Sequence, residues 1–118
     1  MSARYDFHID QGTTWVTTLT YKNNEGDPVD LTGFSARMHV RPSVEASRIL
    51  LDLTTENGKI QINGQTGEIT IKLEPADTTN LGFVRKGVYD LELVSPAPER
   101  VVMRLLEGNV YFNTEVTR

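Results

Sequence analysis

Few side chains in this sequence could do chemistry, and they are scattered. There are two histidines, His8 and His39, and no cysteine. A zinc site takes three or four His, Cys or carboxylate ligands. These histidines lie far apart on the polar-facing phase of two different strand patterns, which reads as solvent-facing sheet surface. Asp6, Asp10, Asp27 and Asp30 suggest a carboxylate pair, and acid–base work needs two carboxylates in different environments. Here Asp27 lies in a turn, and Asp30 precedes Leu31-Thr32-Gly33, where its carboxylate can bond local N–H groups. The turn Asn23-Asn24-Glu25-Gly26-Asp27 is oxygen-rich but lacks the spacing and distal glutamate of an EF-hand. Gly82-Phe83-Val84-Arg85-Lys86-Gly87 carries glycines and a lysine in the wrong order for a phosphate loop. With no Gly-x-Ser-x-Gly elbow and no thiol nucleophile, the expectation is a chain that is not an enzyme, with no metal and no cofactor.

The remaining candidates are contact residues. Trp15, the single tryptophan, shares a strand face with Leu19 and Tyr21, which reads as core; a sugar-stacking or interface role is the other reading. Leu81 and Phe83 are expected to plug an end of the fold. Phe83 and Val84, in the loop leaving a short helix, are also the first candidates for an exposed interface patch. Arg85 and Tyr111 join them as interface candidates. Arg37, Arg41 and Arg48 lie close in sequence and read as an ordinary charged strand face and loop.

Placing these residues requires the elements. The chain has 118 residues and a formal net charge of −4, from 12 basic and 16 acidic side chains. That length suits one domain spanning residues 1–118. The acidic balance disfavours nucleic acid as the main partner. No apolar run approaches a membrane span, and nothing near Met1 reads as a secretion signal. The absence of cysteine is compatible with folding in the cytosol.

Period-two alternation recurs along the chain. Tyr5, Phe7 and Ile9 mark one strand; Trp15 to Tyr21 a second; Phe34, Ala36, Met38 and Val40 a third. Ser43 to Ser47 reads as a polar loop with room for one helical turn, and Ile49, Leu51 and Leu53 as a further strand. Ile60 and Ile62 face Ile69, Ile71 and Leu73 across a glycine-rich hairpin loop. A short helix is expected near residues 75–81, with Pro75 in its first turn and Gly82 as its cap. Tyr89, Leu91 and Leu93 form a strand, and Pro96 and Pro98 force a connection after it. Val101, Met103 and Leu105 form another, Gly108 breaks the run, and Val110 and Phe112 start a last strand that runs to the C-terminus. Asp30, Leu31, Thr32 and Gly33 read as a structural turn that anchors Leu31 in the core. Strands this short and this regularly spaced point to an antiparallel sandwich or barrel, and periodicity leaves strand order open.

Several stretches resemble a known group. Gln11-Gly12-Thr13-Thr14-Trp15, Gly26-Asp27-Pro28-Val29-Asp30-Leu31-Thr32-Gly33, the strand Ala36 to Arg41, Gly87 to Leu93 and the closing Leu105 to Arg118 are similar to small virion proteins of tailed phages and prophages. The layout is similar to the N-terminal immunoglobulin-like domain of siphophage upper baseplate proteins. The resemblance implies an all-β, immunoglobulin-like sandwich of about eight strands. It also implies a non-enzymatic virion component of the tail, baseplate, fibre attachment or head decoration. Its partners would be other phage structural proteins in a homo-oligomeric or symmetric array, with no nucleic acid and no membrane, and its place the virion, assembled in the host cytoplasm. The group shares no catalytic residues. The alternative is a carbohydrate- or host-surface-binding module of the same sandwich class.

Overall fold

The computed structural model describes residues 3–114. In chain order the elements are β1 (Ala3–Arg4), β2 (Phe7–Asp10), β3 (Trp15–Thr20), β4 (Ser35–Arg41), β5 (Leu51–Thr54), β6 (Ile60–Asn63), β7 (Glu68–Leu73), α1 (Pro75–Thr79), β8 (Lys86–Val94) and β9 (Val102–Asn113). They build two sheets. The larger runs β1-β9-β8-β4-β5, with β2 also on β9, and the smaller runs β3-β7-β6.

Alternation decides which side chains face inward. Ala36, Met38 and Val40 of β4, Tyr89, Leu91 and Leu93 of β8, and Ile69, Ile71 and Leu73 of β7 are all buried. They meet in one core between the sheets, joined by Phe7, Ile9, Val110 and Phe112. In the β6–β7 hairpin Ile60 pairs with Ile71 and Ile62 with Ile69. All neighbours are antiparallel except at one edge, where β1 and β2 run parallel to β9. The N-terminal strand beside the last strand, a β9-β8-β4-β5 sheet and a facing β3-β7-β6 sheet make the strand order of an immunoglobulin-like sandwich.

The helix and the first crossover lock one end. Pro75 opens α1, where its missing N–H is not needed. Thr78, fully buried, accepts the Gly12 N–H at 2.8 Å. The buried Gln11 donates to the Gly82 carbonyl at 3.1 Å. The Gln11-Gly12 turn, which carries the chain from β2 in one sheet to β3 in the other, is thereby pinned under the helix.

Three local expectations change. Gly108 does not break a strand, because β9 is continuous from Val102 to Asn113. A Cβ on Gly108 would lie 2.2 Å from the Tyr5 carbonyl oxygen, so glycine here lets the N-terminal segment lie flat against β9. The irregularity falls elsewhere: Leu91 pairs with Leu106 but Glu92 with Arg104, leaving Leu105 as the extra residue of a β-bulge. The bulge shifts the phase of alternation, so Met103 and Leu106 both take the inward face. Residues 43–47 form bends and a turn, with Ala46 N–H donating to Ser43 O at 3.2 Å, in place of a helical turn. Ile49 lies outside β5 and is exposed, while its neighbour Leu50 is buried. Val116-Thr117-Arg118 of the closing motif lie outside the described residues.

Candidate functional site

The turn at Asp30 is built as its residues suggest. Asp30 Oδ1 accepts the Thr32 N–H at 2.9 Å and the Thr32 hydroxyl at 2.6 Å. These bonds, the hydroxyl first, hold the Asp30 carboxyl below its ordinary range. Leu31 is buried, its N–H bonded to Gly64 O at 2.7 Å, and Gly33 takes φ +83°, a conformation glycine adopts without strain.

Asp6 and Asp10 are likewise engaged in local bonds, one to backbone and one to a side chain. Asp6 Oδ1 accepts the Asn109 N–H at 2.8 Å, and Asp10 Oδ1 accepts from the Asn113 side chain at 2.7 Å. In the loop at Asn23, it is the Asn23 side chain that bonds the Glu25 and Asp27 N–H groups. Next to Asp6, the Tyr89 hydroxyl donates to the Tyr5 carbonyl at 2.6 Å. Burial and the neighbouring Asp6 charge push the Tyr89 pKa upward, so the phenol keeps its proton and its bond.

The histidines sit on separate strands of the larger sheet. His8 stacks on Tyr111 with centroids 5.1 Å apart, and His39 Nε2 lies 3.3 Å from Asp52 Oδ1. No group of three or more potential metal ligands occurs among the described residues. Around His39 the outer face of this sheet carries charge in stripes. Arg37 bonds Glu92 at 2.8 Å, and Arg104 lies 3.5 Å from Asp90. Arg41 donates to the carbonyls of Ala46 and Ser47 at 3.0 and 2.9 Å. Arg48 belongs to the loop before β5 and is exposed. β4 alone shows only positive charge on this face, at Arg37 and Arg41; that these lie beside the Asp90 and Glu92 carboxylates becomes visible only once β4 is set beside β8.

The interface candidates gather where β8 begins. Phe83 is 81% exposed, whereas Leu81 is buried and Val84 packs half-buried against the core. Of the expected plug, Leu81 fills the end of the sandwich and Phe83 points away from it. Two apolar anchors therefore flank the exposed ring. Arg85 is exposed, and its carbonyl accepts the Phe112 N–H at 2.8 Å. Tyr111 is half-buried between the His8 ring and the Lys86 ammonium, which lies 5.9 Å from its centroid. Trp15 packs edge-on against Phe7 with centroids 5.3 Å apart, and it and Tyr21 lean on the core. Sequence reading missed the open edge of β3, whose only strand neighbour among the described residues is β7. The signal was present in the uncharged run from Trp15 to Thr20, but an edge is recognised only from strand order.

No helix among the described residues is long and apolar enough to cross a membrane. No family model and no curated protein matches this chain. Among solved structures it is similar to the extracellular domain of the voltage-gated sodium channel beta4 subunit, described as forming parallel homodimers with a role in cell–cell adhesion. That likeness covers 98% of this chain and 96% of the other at 14% identity, with a TM-score of 0.48. The strand order and core place this chain among immunoglobulin-like β-sandwiches.

Proposed function

We propose that this protein is a non-enzymatic structural module that acts through protein–protein contacts. Following its resemblance to small phage sandwich proteins, we assign it to a tailed-phage virion, in the tail, baseplate, fibre attachment or head decoration. The observation that carries the contact reading is Phe83. A large ring, 81% exposed, stands on a short turn whose neighbours Leu81 and Val84 are anchored in the core. The backbone that carries the ring is held by those anchors, so docking the ring into a partner's pocket orders one side chain and little backbone. The polar groups with a chemical look support the same reading, because Asp6, Asp10 and Asp30 are occupied in holding the fold.

A glycan-binding module would present its aromatic faces together. Trp15 and Tyr21 lean on the core from β3 and its end, while Tyr111 lies on the larger sheet under His8. These rings share no platform, which favours protein contact.

The test is quantitative mass spectrometry of purified particles from the bacterium that carries the gene, with heads and tails separated. A small symmetric stoichiometry in the tail fraction supports a baseplate, fibre or neck component. Many copies with the heads support decoration. Absence from both fractions overturns the virion assignment.

A further inference from the structure

The two sheets have four outer edges, and three are guarded. The β1–β2 edge is interrupted at Tyr5-Asp6. The β5 edge is four residues long and the Asn57 side chain occupies its Asp52 carbonyl at 2.9 Å. The β6 edge, also four residues, is crowded at one end: a Cβ on Gly64 would lie 2.7 Å from Thr32 Cα. The β3 edge is six residues long, WVTTLT, with no charge, proline or glycine. Natural sheets protect such edges with those devices, and an edge without them is a template for another strand.

The topology explains why this edge is open. In the four-stranded immunoglobulin sheet the N-terminal strand lies beside the second strand. Here β1 and β2 pair with β9 in the opposite sheet, so among the described residues the seat beside β3 is vacant. Tyr21 N–H donates to Gly67 O at 2.8 Å, which sets the phase of the ladder. Trp15, Thr17 and Leu19 turn their backbone groups to β7, and Val16, Thr18 and Thr20 turn theirs to the vacant side.

We infer that this seat is taken by β3 of a second copy, antiparallel, about a two-fold axis at Thr18. The choice of occupant follows from the register. Val16 of each chain lies opposite Thr20 of the other, Thr18 opposite Thr18, and no charge meets a like charge. On the outer face the Thr18 and Thr70 hydroxyls are already paired at 3.1 Å, so the axis sets two such pairs side by side in a row of four. The joined sheets form one six-stranded sheet across the axis, and the isologous contact closes as a dimer. A six-residue edge buries little area, so the contact is weak singly and effective in an array of copies. The inference rests on the protein-contact reading and names its surface and partner.

The experiment uses the full chain, whose lack of cysteine makes an introduced thiol unique. Sedimentation across a wide concentration range reads the dimer, and a short bis-maleimide reads the register. Thr18→Cys thiols face each other at about one strand spacing, ~5 Å, whereas Thr70→Cys thiols are three spacings apart, ~14 Å. The expected result is a concentration-dependent dimer, bridged in Thr18→Cys and not in Thr70→Cys. Thr18→Lys, which sets two ammonium groups on the axis at an exposed position, weakens the dimer about tenfold while leaving circular dichroism unchanged. A monomer up to the solubility limit, or equal bridging of both thiols, overturns the inference. Particle composition reads the virion assignment separately, so a strictly monomeric chain found in particles removes the edge contact and spares that assignment.

Discussion

Leu81 and Phe83 are two positions apart and face opposite environments. Leu81 is buried, so Leu81→Ala removes packed methyl groups and costs about 2–4 kcal/mol of stability. Phe83 is 81% exposed, so Phe83→Ser changes stability by less than about 0.5 kcal/mol. Urea denaturation of both variants separates them, and equal losses would put Phe83 in the core. Asp77 makes a second case. Burial acts to raise its pKa, but the hydrogen bond from Lys59 at 2.8 Å, the Glu74 N–H at 2.7 Å and the Lys59 charge together lower it. The folded state thus prefers the carboxylate. Its contribution is complete above the unfolded value of 3.8 and is lost as pH falls through the lower folded value. The stability gap between the parent and Asp77→Asn should be widest near neutral pH and close below about pH 4. A gap that does not change with pH would remove ionisation from the account. The Asp30 turn was legible in sequence because donor and acceptor are two residues apart. The Lys59–Asp77 pair was not, because its partners are 18 residues apart, one in a turn and one in α1.

The strands were legible for a related reason, since period two is written locally in each run. The inward sets of β4, β7 and β8 follow directly from it. The failure came in β9, where the phase slips at Leu105 and a single bulged strand reads as two. Deleting one leucine of the Leu105-Leu106 pair keeps Leu91 opposite Leu106 and Glu92 opposite Arg104 and restores plain alternation. The variant should fold with the same ladder, losing about 1–3 kcal/mol for the partly buried leucine. Deleting Asn109, beyond the bulge, would push Glu107 to the inward position that Gly108 holds against Tyr5, and should abolish folding. Amide exchange across β8 and β9 distinguishes the two, and equal disruption would mean that the bulge does not absorb the change. The role of Gly108 was misread because its neighbour Tyr5 lies about a hundred residues away in sequence.

At the scale of the whole molecule, the class was legible and the strand order was not. Many short alternating runs with turn residues between them point to an antiparallel sandwich or barrel. Nothing in a single run says which sheet it joins, and the N-terminal strand joins the sheet that holds β9. Tyr5 N–H to Glu107 O, the Tyr89 hydroxyl and the Asp6 carboxylate fasten it there. That arrangement has a mechanical consequence. Because β1–β2 and β9 run parallel, Ala3 lies at one end of the pair, beside Leu106, and Asn113 at the other, beside Asp10. Tension applied through the chain at these two points pulls the strands past each other, so the bonds along the pair bear the load together instead of opening one by one like a zipper. The fold is thus arranged to resist stretching along its own backbone, a property suited to a link under pull.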